Sequence, residues 1–284
     1  MRQDRRRRLH RLHLPLNPTR TNRRAQRSPN NEEARMRIGI LGTGHIGQTL
    51  VLKLSAAGHE VKVANSRGPE TIGPDILASG GRAVTSAEAM KDVDVAVLSV
   101  PLNCVPNIAP LTAHLGPDTV VVDTSNYYPE RDGHIDAIDS GQAESLWVAL
   151  ELDRPVVKAW NAIGSDSLSR LGTPAGSPDR LAIPVAADSE QDRRVGLTLV
   201  EDTGFDAVDA GTLSESWRQQ PGTPCYCTDL TREEMPAALS AADPSRSPKR
   251  RDIAFAAVME RMNGSGARDP GADFLVRLNR TLFM

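Results

Sequence analysis

Residues 37–47 read R-I-G-I-L-G-T-G-H-I-G, and this stretch decides the fold. Ile38–Leu41 is a short apolar run expected to form a buried strand. Gly42, Gly44 and Gly47 then supply the G-x-G-x-x-G spacing that turns a strand sharply into a helix. The first glycine permits the tight turn, the second lets backbone approach a pyrophosphate, and the third lets helix and strand pack closely. The helix that follows, expected over Ile46–Ala57, aims unpaired N–H groups and its positive dipole end at the phosphates. Gly58 stops it, and His59–Ala64 is a second strand. A glycine-rich turn also arises for structural reasons alone, but the strand before and amphipathic helix after favour a dinucleotide site.

Outward from this core, Asn65-Ser66-Arg67 follows the second strand. An NAD-preferring site places an acid near here for the ribose 2′-OH. Here the residues are instead a hydroxyl, Ser66, and a guanidinium, Arg67, suited to a 2′-phosphate, so NADP is expected over NAD. Pro69–Ser79 reads as a helix ending at Gly80-Gly81, with a short strand at Arg82–Val84 and Ser86 as N-cap of a brief helix to Met90. Asp94–Val100 is a near-continuous apolar run, as in a parallel strand covered on both faces. A helix over Val105–His114 leads to the strand Thr119–Val122, and a helix over Ala143–Leu152 leads to Val156–Trp160. A further strand, Leu181–Ala187, a helix capped by Ser189 and running to Asp202, and a last strand, Phe205–Asp209, complete the pattern. Strands alternating with helices predict an α/β fold, a doubly wound (Rossmann) parallel sheet with its ligand crevice at the carboxyl ends of the strands. Gly42–Gly47, Ser66-Arg67, Val100-Pro101 and Ser125-Asn126 all fall at such ends. The sheet is expected to continue beyond six strands.

After Gly211 the pattern changes. Trp217–Pro224 is polar and turn-rich, and Glu233–Ala242, Ile253–Met262 and Phe274–Leu282 read as helices. The division expected is an arm over 1–35, a nucleotide-binding domain over 36–211 and a helical extension over 212–284. The apolar-striped terminal pair is expected to pack back on the body or against a second copy, giving a homo-oligomer.

The 284 residues carry 34 basic and 36 acidic side chains, distributed unevenly. Residues 1–35 hold eleven arginines and three acids, a charge of +8, so the remainder stands near −10 (−2 − 8). That balance argues against a nucleic-acid partner for the folded part. The arginine-rich arm is expected to be disordered. Its readings are a basic arm that touches nucleic acid or an anionic membrane, a targeting peptide, or a dispensable extension with Met36 as the natural start, and the last is favoured. Cys104, Cys225 and Cys227 are too few for a disulfide framework, which fits a reducing cytoplasm. No apolar run approaches the roughly 18 residues needed to span a bilayer, so no membrane partner is expected.

An enzyme reducing a carbonyl or imine normally needs a proton donor beside its substrate. His45 lies in the phosphate turn, His114 ends a helix, and His134 occupies the Arg131–His134 loop. Lys158 and Asn161 are three residues apart on a strand and so face opposite ways. With no side-chain acid evident, the simplest acceptor of hydride is a flavin or deazaflavin ring.

Several segments carry a resemblance: M-R-I-G-I-L-G-T-G-H-I-G, N-S-R, D-V-A-V-L-S-V-P, V-V-K-A-W-N-A-I and V-D-A-G-T-L. Met36–Ser216 resembles the NADP oxidoreductases that depend on the deazaflavin coenzyme F-420. The resemblance implies that Thr43, Gly44, His45 and Ile46 bind the NADP backbone and that Ser66 and Arg67 hold the 2′-phosphate. It places the nicotinamide against Val100 and Asn126, with the loop around Ser165 closing on the same cofactor. It also implies direct hydride exchange between nicotinamide and the deazaflavin, a small-molecule redox co-substrate. Family members often carry a lysine shortly after Ser-Arg; here Glu70-Thr71 stands instead. The segment Trp217–Met284 is longer than in compact archaeal forms. Two other readings stay open: a non-catalytic NADPH sensor, and a hydroxyacid or imine reductase using Lys158 or His134.

Overall fold

In the computed structural model, residues 35–265 and 271–284 are described. The basic arm expected over 1–35 therefore lies outside them except for Arg35. Strand β1, Arg37–Leu41, is buried from Ile38 onward. It runs into helix α1, His45–Ala56, and then β2, Glu60–Ala64. β3 is Arg82–Ala83, α2 is Ser86–Ala89, β4 is Val95–Leu98 and α3 is Val105–Thr112. β5, Val120–Asp123, is followed by three helices: α4 at Pro129–Asp132, α5 at Asp136–Asp139 and α6 at Glu144–Leu152. β6 is Val157–Lys158.

These six strands form one parallel sheet in the order β3-β2-β1-β4-β5-β6. The reversal lies between β1 and β4, the position at which open α/β sheets leave a ligand crevice. Registers are in phase, with Ile38 beside both Val61 and Val95, and Leu41 beside Ala64 and Leu98. Both faces are covered. One carries Ile38, Ile40, Leu50, Val63, Val97 and Val122, and the other Leu41, Ala96, Leu98, Val121 and Val148. Burial on both sides is why β4 and β5 read as unbroken apolar runs.

The sheet ends at β6, a correction to the expected extension. After α7, Ser165–Arg170, strand β7, Ala182–Val185, pairs in parallel only with β8, Asp206–Asp209, across helix α8, Glu190–Asp202. This separate two-stranded sheet meets β6 through one antiparallel bridge, in which Lys158 and Ala186 exchange N–H···O bonds of 2.8 and 3.0 Å. β6 is two residues long and its chain turns at Trp160, whose φ is +57°. The chain around Ala186 runs antiparallel to β6 at this bridge, so the parallel ladder stops there.

Two local expectations also shift. The helix expected over Pro69–Ser79 is a single 3-10 turn at Pro69–Thr71 followed by turns. Pro74 disfavours helical backbone at Gly73, so the periodic apolar residues Ile72, Ile76 and Leu77 pack from turns instead. The cap of α2 is Thr85, one residue before Ser86, and forms a full capping box with Glu88.

Beyond β8, a 3-10 segment over Leu213–Gln219 leads into Pro221–Thr228, every residue of which is buried. Helices α9, Met235–Ser240, α10, Ser247–Ser265, and α11, Ala272–Phe283, pack over it. From α11, the Asn279 amide donates to the carbonyls of Tyr226 and Cys227, and the Arg280 guanidinium to those of Thr228 and Asp229. Arg35–Met284 is thus one packed unit, without a break at Gly211. Among the described residues no helix is long and apolar enough to cross a membrane.

Candidate active site

At the end of β1, Gly42 has a φ of +109°, and a Cβ there would lie 2.0 Å from the Ser99 carbonyl oxygen at the end of β4. A Cβ at Gly47 would lie 2.2 Å from the Gly42 carbonyl oxygen. These two glycines hold the strand-to-helix turn against the sheet. Gly44 differs: a Cβ there would touch nothing within 4 Å, so its face is open. Gly44 is also the N-cap of α1, and no side chain caps that helix. An open glycine before an uncapped twelve-residue helix leaves first-turn N–H groups available to an anion, the arrangement a dinucleotide diphosphate needs.

A cleft of about 540 Å³ opens from this turn. It is lined by Gly42, Thr43 and Gly44 from the turn, Asn65, Ser66 and Arg67 after β2, and Val100, Pro101 and Cys104 after β4. Among the described residues the lining holds no carboxylate and no imidazole. Ser66 and Arg67 are exposed at its rim. Their loop is shaped by Asn65, a residue the spacing argument passed over. Its Oδ1 accepts the Arg67 N–H at 2.9 Å, and its Nδ2 donates to Thr71 Oγ1 at 2.9 Å and to Thr43 Oγ1 at 3.4 Å. An Asx-type turn thus fixes the Arg67 backbone and joins the guanidinium loop to the glycine turn. An asparagine immediately after a strand and two residues before the arginine was the available signal.

The other expected site residues sit elsewhere. His45 points outward, its Nδ1 3.5 Å from the Gln48 amide, and Ile46 packs its side chain on the core below α1. Either can reach a ligand in the cleft through its backbone N–H. Asn126 follows β5; its amide donates to the Asn161 carbonyl at 2.9 Å, and its Oδ1 accepts from Asn161 at 3.2 Å. Gln219 closes this group, its amide donating to Asn161 Oδ1 at 2.8 Å. Ser165 begins α7, which packs on α1 and α11. Neither Asn126 nor Ser165 lines the cleft. His134 has 82% of its side chain exposed and pairs with Asp139.

Beneath Asn126 lies a group of charges that no spacing rule foretold. Lys158 is fully buried, and its Nζ donates to Asp123 Oδ2 at 2.9 Å and to the Ser125 carbonyl. Asp123 also accepts from the Ser125 N–H and hydroxyl and from the Ser145 hydroxyl. Glu144 Oε2 stands 4.0 Å from the same ammonium and has no hydrogen-bond partner among the described residues. Burial pushes the Glu144 carboxyl up to about 7; Lys158, the Gln220 side chain and the Tyr127 N–H oppose that rise. Lys158 is therefore held by protein groups and is not presented to the cleft.

Cys225 and Cys227 are buried, and burial pushes the Cys225 thiol up to about 12. Among the described residues no group of three or more His, Cys, Asp or Glu is placed to hold a metal.

Comparison with known proteins bears on the same segment. Residues 37–127 match the family model described as NADP oxidoreductase, coenzyme F420-dependent. The protein YjhV of Escherichia coli K12 is 51% identical over 69 residues, 24% of this chain and 50% of that protein, so the chain spans about half of this curated relative. Among solved structures, the hypothetical protein SMa0349 of Sinorhizobium meliloti superposes with a TM-score of 0.61 at 26% identity, covering 69% of this chain and 95% of that one. A candidate F420-dependent NADP-reductase from Arthrobacter sp. FB24 gives 0.51 at 21% identity over 64% and 87%. A 3-hydroxyisobutyrate dehydrogenase of Mycobacterium tuberculosis gives 0.50 at 15% over 87% and 93%. The last two likenesses establish the fold. The strand–turn–helix unit that carries the cleft lies within the residues that match this family model, and that unit is similar to the coenzyme F420-dependent NADP oxidoreductases.

Proposed function

We propose that this chain binds NADP(H) and exchanges hydride with a small-molecule ring acceptor, a deazaflavin such as coenzyme F-420 or a flavin. The observation that carries the reading is the pairing, on one cleft, of an open glycine at an uncapped helix N-terminus with Ser66 and Arg67, in a loop Asn65–Arg67 that carries no acid. In this reading Gly42, Gly44 and the first N–H groups of α1 hold the diphosphate, and Ser66 and Arg67 grip the 2′-phosphate. Val100 and Pro101 offer apolar surface, and Asn126 lies at the nicotinamide end, beyond β5. The nicotinamide supplies the hydride chemistry. The protein orients it and excludes water, and a cleft lining without carboxylate or imidazole suits a transfer that needs no side-chain proton donor.

The test is binding followed by turnover. Calorimetry should show NADPH taken up more tightly than NADH. Purified protein given NADPH should then oxidise it in the presence of F-420, FMN or a ferric chelate. Binding without oxidation in any mixture would point to a sensor, and no uptake of either nucleotide would overturn the proposal.

A further inference from the structure

We infer that Lys158, Asp123 and Glu144 form a buried clamp that positions the Ser125–Tyr127 turn under the nicotinamide, and that protonation of Glu144 sets its grip. The inference rests on the cofactor reading above, because that reading places the nicotinamide at Asn126.

Asp123 Oδ1 binds the N–H and hydroxyl of Ser125, the Lys158 ammonium binds the Ser125 carbonyl, and the Glu144 carboxylate accepts from the Tyr127 N–H. Asn126 stands between these anchors. Its position beyond β5 is therefore dictated by three side chains from β5, α6 and β6, each essentially inaccessible to water. From outside, the Arg131 guanidinium donates to the Asn126 carbonyl at 2.6 Å.

Charge counting makes the clamp sensitive to a proton. One ammonium faces two carboxyl groups in a dry site, so with both ionised the cluster holds a net negative charge, and with Glu144 neutral it balances. The other groups facing Glu144 are Gln220 and Tyr226 from the segment after β8 and Tyr128 after β5. None of them is a cation. When Glu144 is neutral, Lys158 stays on Asp123 and the Ser125 carbonyl. When Glu144 is ionised, its unpartnered Oε2 draws the ammonium from 4.0 Å away, and the hold on Ser125 weakens. The group changes state close to neutrality, since burial raises it to about 7. Lys158 and Glu144 are positioning residues, acting through the turn.

The experiment compares two probes at pH 6 and pH 8: NADPH, and 2′-phospho-ADP-ribose, which is the same molecule without the nicotinamide ring. Both carry the same phosphates, so phosphate titration cancels in the ratio of their affinities. In the wild-type protein the advantage of NADPH over the truncated probe should fall about threefold from pH 6 to pH 8, equivalent to about half a pH unit of linkage to Glu144. The fluorescence of bound NADPH should change over the same interval. In Glu144→Gln, an isostere that cannot ionise, the ratio should stay at its pH 6 value throughout. Lys158→Met, if it folds, should lose the nicotinamide advantage at both pH values while still binding 2′-phospho-ADP-ribose. A wild-type ratio independent of pH, or a Glu144→Gln ratio that falls in parallel with it, overturns the clamp and leaves the cofactor reading standing. Failure of the wild-type protein to bind either probe overturns the cofactor reading, and the clamp with it.

Discussion

Replacing Glu144 with glutamine should stabilise the protein above neutral pH and do little below pH 5. Glu144 is 1% exposed, and burial holds its carboxyl at about 7, against a reference value of 4.5. A carboxyl raised on folding contributes its stability in full below pH 4.5 and loses it progressively as pH climbs through 7. The separation is 2.5 units (7 − 4.5), which at about 1.36 kcal/mol per unit gives a penalty of about 3 kcal/mol at pH 8. Some 2–3 kcal/mol of it develops between pH 5 and pH 8. The amide of Glu144→Gln retains the shape and the acceptor facing the Tyr127 N–H while carrying no charge into the dry site. Urea unfolding of both proteins at pH 5 and pH 8 measures the difference. The variant's advantage should widen by about 2–3 kcal/mol over that range, or about 5–10 °C in Tm for a chain of this size. An advantage that does not change with pH, or that shrinks as pH rises, would refute the reasoning.

Arg67→Ala should weaken NADPH binding by roughly 10- to 100-fold, the worth of charge-assisted hydrogen bonds to a phosphate, and leave NADH unchanged by calorimetry. Gly42→Ala should abolish binding of both nucleotides, because the new methyl would meet the Ser99 carbonyl at 2.0 Å in a backbone with φ +109°; circular dichroism distinguishes lost binding from lost fold. Iodoacetamide at pH 7.5 should modify Cys104, which lines the cleft, and spare buried Cys225, whose thiol is held at about 12. NADPH should slow the Cys104 reaction, as read by mass spectrometry of the tryptic peptides.

The legible part of the fold was the part encoded locally. Val95–Leu98 and Val120–Asp123 are covered on both faces, so their sequence is apolar without alternation, and their place in a parallel sheet could be read directly. The glycine turn was equally plain, since Gly42 and Gly47 answer to contacts within a few residues or the adjacent strand. Over Pro69–Ser79 the apolar spacing is helical while Gly73-Pro74 is not, so the sequence pattern points to a helix that the backbone does not form. Position Thr85 shows that two adjacent hydroxyl residues leave a cap uncertain by one residue until the box with Glu88 is seen. The Lys158–Asp123–Glu144 cluster was invisible for a different reason. Its members are 14–35 residues apart on two strands and a helix, and a lysine within V-V-K-A-W-N carries no mark that its ammonium folds inward. Trp217–Pro224 reads as polar and turn-rich, yet the overlapping stretch Pro221–Thr228 is buried, because its backbone groups find partners on Ala162, Asn279 and Arg280 that lie far along the chain.

Those partners have a consequence for how the molecule is made. All six strands and the glycine turn are present once about residue 158 has left the ribosome, so the nascent nucleotide fold can assemble from contacts already synthesised. The stretch around Tyr226 then has to wait some fifty residues for Asn279 and Arg280 to satisfy its carbonyls. During translation the chain therefore passes through a stage with its core sheet formed and the covering of its far edge still open, when chaperones have most reason to attend it.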